Sequence, residues 1–204
     1  MSDTSGTRGQ ALTLDAVTAA LLLVASLLFA LSITVVTPLT TSTSSQHVEN
    51  QQQARAIGTL ESADNQNTLK PTVLYWNDSK GAFHGKDTGE VYEDPPPTDF
   101  GDTVRQAFVE KSLAANINIR YLSRDAQGDL VQRKVRLLRM GRPTANAVTG
   151  RETVSVFDTE YLREEDGSKS STTVKDADTF YMPDIAPNSE LYNSVTVEVV
   201  VWRL

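Results

Sequence analysis

The sequence predicts an α+β protein: an N-terminal transmembrane helix and a stalk helix, followed by a mostly antiparallel β-rich head with one helix. Three observations predict it. Residues Ala16 to Val36 form one apolar run without a charge. Segment 46–64 is rich in Gln, Glu, Ala and Arg, with apolar residues at helical spacing. From Ile117 onward, apolar and polar side chains alternate in several short runs, as half-buried strands do.

The apolar run comes first. As a helix it rises about 31 Å at ~1.5 Å per residue, against a hydrocarbon core of about 30 Å. Its polar members Thr18, Ser26, Ser32 and Thr34 can each return a hydroxyl to a backbone carbonyl one turn back. Asp15 is the last charge before it and Glu49 the next after it. A cleaved secretory signal is the weaker reading. The run exceeds the usual apolar region of about 7–15 residues, and the nearest Ala-x-Ala, Ala54-Arg55-Ala56, lies far beyond it. The short N-terminal arm, with Arg8 as its one basic residue, is expected in the cytoplasm and the long acidic remainder outside.

Pro38 should kink or end that helix. Leu39 to Ser45 reads as a Ser/Thr linker or an O-glycosylated stalk. Residues 46–64 then read as an amphipathic helix with Ala54, Ile57 and Leu60 on its apolar line and Ser44 or Ser45 as cap. In the head, Thr72–Trp76 reads as a strand and Asn77–Gly81 as a turn. Phe83–Glu93 reads as loop, and the triplet Pro95-Pro96-Pro97 as a stiff spacer. Asp102–Ala115 reads as a helix burying Val104 and Phe108, capped by Asp102 or Asp99. Ile117, Ile119 and Tyr121 pair across the turn Asp125–Asp129 with Val131, Val135 and Leu137 in a hairpin. Val154 and Val156 mark a strand to about Tyr161, Glu164–Ser168 a turn, and Thr172–Val174 a short strand. Val195, Val197, Val199 and Val201 make one wholly apolar face of a central strand. Five or six strands are expected.

The residues ahead of the apolar run carry a resemblance. Thr7-Arg8-Gly9-Gln10-Ala11-Leu12-Thr13-Leu14-Asp15, then the long apolar helix, resembles the class III signal of archaeal type IV pilin-like proteins. With VLYW, HG, the Pro-rich bend, NAVTGRETVSVFD and the closing LYNSVTVEVVVWRL, residues 8–204 resemble a haloarchaeal family of pilin-like surface proteins of uncharacterised function. The resemblance implies a prepilin peptidase acting between Gly9 and Gln10, with Arg8, Gly9 and Gln10 as the processing residues. It also implies an assembly role for Asp15, the sixth residue of the processed chain, where many type IV pilins carry Glu at the fifth. An acid there meets the positive end of the helix dipole. The implied organisation is a cytoplasmic leader 1–9, a transmembrane anchor 10–37, a linker and stalk helix 38–66, and an extracellular head 67–204.

Composition removes several functions. Of 204 residues, 19 are Lys or Arg and 26 Asp or Glu, a net charge of -7, and none is Cys. Disulfide scaffolds, Cys-ligated zinc and iron–sulfur clusters are excluded. No nucleic-acid partner is expected without a basic field. A mean hydropathy of -0.30 with one long apolar run excludes a multi-span protein. Catalytic, metal and cofactor sites are expected to be absent, and the chain is not read as an enzyme. There is no G-x-S-x-G. Gly81–Asp87 has one residue too few between its glycines for a phosphate loop, and Asp87 stands where Ser or Thr is needed. Asp176/Asp178 and Glu164-Glu165-Asp166 read as solvated turns rather than calcium loops, and His47 and His84 do not form a metal pair. Tyr75, Trp76, Phe83 and Tyr92 read as core or interface. Asn77-Asp78-Ser79 is the only sequon, usable for glycosylation at Asn77 if the head is external. Arg133, Lys134, Arg136, Arg139 and Arg142 read either as a solvated strand face or as a contact for the acidic surface of a neighbouring subunit. The expected function is a pilin-like, membrane-anchored cell-surface structural or adhesive subunit, its partners the lipid bilayer and further copies or related subunits. The alternative is a non-polymerising membrane-tethered extracellular binding module.

Overall fold

A computed structural model describes residues 17–28 and 39–204. The predicted leader, the predicted processing residues Arg8, Gly9 and Gln10, the predicted assembly residue Asp15, Pro38 and most of the predicted anchor lie outside the described residues. The chain divides into two compact units, Met1–Val48 and Glu49–Leu204.

In the first unit residues 17–28 are helical and exposed throughout. The Ser26 hydroxyl donates to the Leu23 carbonyl at 2.9 Å, as the sequence predicts for a polar residue in an apolar helix. Among the described residues no helix is long and apolar enough to cross a membrane, and the predicted span is described only over residues 17–28.

Helix α1 spans Leu39–Asn65. The expected Ser/Thr linker is therefore helical, and Ser44 and Ser45 lie inside the helix rather than capping it. The buried stripe is also not the predicted one. Ala56, Thr59, Leu60 and Ala63 face the core, while Ile57 is 36% exposed. Spacings of three and four keep those residues on one side, whereas Ala54–Ile57–Leu60 drifts around it. The helix ends in a left-handed Asn67 (φ 55°), after which the Thr68 N–H returns to the Ala63 carbonyl at 2.9 Å.

The predicted strand Thr72–Trp76 instead begins inside a one-turn helix, α2, Leu69–Val73. Pro71 sits in its first turn, where a missing N–H costs nothing. Only Trp76–Asn77 is strand (β1), paired antiparallel with β2, Ala82–Phe83. The predicted turn joins them, its Gly81 held at φ 62° with its N–H on the Asn77 carbonyl. The aromatic quartet is core: Tyr75, Trp76, Phe83 and Tyr92 are all buried.

Helix α3 is Asp99–Ala107, shorter and earlier than predicted. Its cap is Thr98, whose hydroxyl accepts from the Gly101 N–H at 3.1 Å, not Asp99 or Asp102. Those acids occupy the first turn, at the positive end of the dipole. Val104 and Phe108 are buried as expected. A 3₁₀ turn, Val109–Lys111, follows, and residues from Leu113 on are strand.

The main sheet has the order β4-β3-β8-β5, all antiparallel, with β3 Leu113–Arg124, β4 Leu130–Arg139, β5 Val148–Phe157 and β8 Leu191–Arg203. The predicted hairpin is β3–β4, and the closing valine strand is central. A separate hairpin pairs β6, Tyr161–Arg163, with β7, Lys169–Thr173, across the predicted acidic turn. The described residues thus hold eight strands in three sheets rather than five or six. Val195, Val197, Val199 and Val201 lie opposite Tyr121, Ile119, Ile117 and Ala115, and one core joins these residues to Ala56, Leu60, Phe100 and Val104.

Candidate functional site

The sheet face turned away from this core carries the most charge. Register places Asn116, Asn118 and Arg120 of β3 beside Arg139, Arg136 and Lys134 of β4, and beside Val200, Glu198 and Thr196 of β8. Arg151 of β5 pairs with Glu198 from the other side. Arg136 and Arg139 are three apart and would point to opposite faces of a regular strand. A β-bulge between the pairs Ile117–Leu138 and Asn118–Arg136 takes up Leu137 and brings both arginines to one face. Arg133, part of the predicted cluster, lies opposite Tyr121 on the other face.

Glu198 is the acid of this face, with 5% of its side chain exposed. Its carboxylate accepts from Asn118 Nδ2 at 3.1 Å, from Arg120 Nη2 at 3.0 Å and from Arg151 Nη2 at 2.7 Å. Burial pushes the carboxyl up, but the hydrogen bonds from Arg120 and Arg151, the Arg120 charge and the Asn118 amide outweigh it and hold Glu198 below its ordinary value. A carboxylate depressed in the folded state stabilises above its unfolded value and loses that contribution as pH falls through the folded one. Glu198→Gln is therefore expected to cost about 2 kcal/mol at neutral pH. The gap from wild type should close as pH drops below the ordinary 4.5. Urea unfolding of both chains at pH 7 and pH 3 checks this.

Beside this cluster lies a groove of about 220 Å³ lined by Lys134, Arg136, Arg139, Arg142, Asn116 and Asn118. None of the four cations makes an ion pair among the described residues. The rim is fixed. Asn116 donates to the Gly141 carbonyl at 3.0 Å and accepts from the Met140 N–H at 2.9 Å, holding the segment after β4 over the sheet. Unpaired like charges repel, so the groove favours an anionic occupant. It offers charge and amide donors.

Residues 8–201 match a family of unknown function, DUF7288. The chain belongs to DUF7288. No curated protein and no solved structure matches it.

The other sequence-predicted positions in this DUF7288 protein are placed as follows. Asn77 is half-buried at the β1 turn, its Oδ1 accepting from the Lys80 N–H at 3.1 Å. Asp78, the middle of the sequon, accepts from the backbone of Thr179 at 2.7 Å and of Asp178 at 3.0 Å. Burial raises that carboxyl, and these N–H groups and the Thr179 hydroxyl more than reverse it. His84 is a buried core residue, its Nε2 2.7 Å from the Arg163 carbonyl and its ring against Tyr75. Among the described residues no group of three or more His, Asp or Glu converges as a metal site. No local sequence pattern marks Glu198, Arg120 and Arg151 as a cluster. Only the register joins residues that lie on three separate strands.

Proposed function

We propose that this DUF7288 protein is a pilin-like, membrane-anchored subunit of the cell surface, with a structural or adhesive head. The observation that supports it most is the bare apolar helix. Over residues 17–28 the large side chains Val17, Leu21, Leu22, Leu23, Val24, Leu27 and Leu28 are 55–71% exposed. A helix apolar on all sides is stabilised by lipid or by like helices, not by water. The lipid bilayer is accordingly its first partner, the head lies outside the cell, and a prepilin peptidase processes the chain after Gly9.

The basic groove supplies a second contact. In a chain of net charge -7, four unpaired cations on one fixed rim fit the acidic surface of a neighbouring copy. The exposed turn Glu164-Glu165-Asp166 presents such a surface.

Gly9→Val should leave a slower-migrating precursor on an immunoblot of membranes. Equal mobility of variant and wild type counts against processing. Filaments sheared from cells should contain the chain, and Arg136→Glu with Arg139→Glu should reduce them. A wild-type chain that stays monomeric in detergent and never appears in sheared filaments rejects assembly and favours the tethered binding module.

A further inference from the structure

The main sheet ends in β5 on one side, and among the described residues no strand lies beyond it. Its ladder with β8 runs on past the strand end, where the Asp158 N–H donates to the Glu190 carbonyl at 2.9 Å. Backbone groups alternate in direction along a strand, so Val156, Val154 and Glu152 also turn theirs toward β8. Ser155, Thr153, Arg151 and Thr149 turn theirs outward. The Thr153 N–H shows this directly: it donates to Oε1 of the neighbouring Glu152 at 3.2 Å. Among the described residues no backbone group outside β8 bonds to residues 149–155. Such a row of open N–H and C=O groups is a template for a further strand.

The two edges of the sheet differ in what they admit. β4 is bridged by Tyr92 at Leu138 and carries Lys134 and Arg136, charges of the kind that guard an edge. The open row of β5 has one cation, Arg151, and Glu198 holds it at 2.7 Å. Thr153 and Ser155 beside it are small, neutral and exposed. A second β5, running antiparallel about a two-fold axis, can pair with this row in few registers, because residues of one face must stand opposite each other. Centring on Glu152 opposes two carboxylates, and centring on Arg151 opposes two guanidinium groups. Centring on Thr153 sets Thr153 against Thr153, Arg151 against Ser155, Thr149 against Phe157 and Glu152 against Val154. No like charges then stand directly opposite, and the overlap is the longest of the remaining registers. The two outward rows meet, so the paired Thr153 residues exchange both hydrogen bonds and the Glu152 carboxylate gives up its place to the partner's carbonyl.

We infer that β5 is an interface between two copies of this chain, joined antiparallel at Thr153 into one continuous sheet. The inference rests on the part of the proposed function that brings copies together, and not on processing or on the basic groove. The chain has no Cys, so a single introduced one reports a single site. Membranes carrying the full-length Thr153→Cys variant, treated with a mild oxidant, should yield a disulfide-linked dimer. Paired Cα atoms in such a ladder lie about 5.5 Å apart, within disulfide reach. Ser155→Cys should link at least about tenfold less, because its two copies would stand about 14 Å apart. Thr153→Pro removes an N–H that the head's own ladder does not use, and a proline is tolerated at such an edge position. Thr153→Lys keeps every backbone group and opposes two ammonium groups. Each should weaken the dimer at least about tenfold in sedimentation of the full chain in detergent. No link at Thr153→Cys, equal linking at Ser155→Cys, or a dimer unchanged in both blocking variants overturns the inference. Sheared filaments that contain Thr153→Cys chains without this link reject the β5 interface and leave assembly itself standing.

Discussion

Gly101→Ala will lower the stability of the head sharply, although alanine in place of glycine inside a helix ordinarily stabilises by about 1 kcal/mol. Gly101 is in the first turn of α3, where the chain doubles back after the proline triplet. A Cβ on it would lie 1.9 Å from the Pro96 carbonyl oxygen and 2.9 Å from the Pro96 carbonyl carbon. That oxygen cannot move freely, because it accepts from the Thr98 N–H at 2.8 Å, and Thr98 in turn caps the helix. Pro95 and Pro96 are themselves buried. Relief requires lifting α3, with Phe100, Val104 and Phe108, off the core. A cost of about 3 kcal/mol or more follows. The melting temperature should fall by roughly 6–12 °C. Thermal unfolding followed by circular dichroism decides it. A melting point equal to or above wild type would show that the helix and Pro96 are not in this contact.

Gly150→Val comes second and acts on a different seam. Gly150 of β5 faces α1, and a Cβ there would meet the Ala56 carbonyl carbon at 2.8 Å, the Ile57 nitrogen at 2.9 Å and the Ala56 Cβ at 3.0 Å. Valine is usually favoured over glycine in a strand. Here it meets helix backbone, which cannot rotate away, so the sign reverses. We expect a loss of about 3 kcal/mol and faster proteolysis near α1. A second substitution separates side-chain from backbone contact. Ala56→Gly removes only the 3.0 Å neighbour, so it should restore little of the stability lost in Gly150→Ala. Full rescue would mean that the helix lies further from the strand than these distances state.

The elements with strong local patterns were legible in the sequence. The alternation of Val195 to Val201 specified a buried central strand. The Asp125–Asp129 turn specified its hairpin and Glu164–Ser168 read as a turn, because glycines at 128 and 167 can adopt φ of 88° and 82°. What depended on tertiary contact was not legible. The α1 stripe reads equally well along Ala54–Ile57–Leu60 until Gly150 selects Ala56. Leu69–Val73 contains residues that suit a strand, yet it forms a helical turn whose Thr72 hydroxyl donates to Thr98 at 2.9 Å. The basic groove was half-legible. Its charges stand close together in sequence, but the bulge at Leu137 that aligns Arg139 with Arg136 leaves no local signature.

The position of β8 bears on how the head is made. It enters between β3 and β5, two strands synthesised well before it, and it hydrogen-bonds to both. Until residues 191–203 emerge from the ribosome, the β3–β4 ribbon and β5 each keep a bare flank rich in valine and isoleucine. Such flanks stick to one another in crowded surroundings. A nascent chain of this kind gains from being kept extended, with its sheet assembled in one step once residues 191–203 are free to pair.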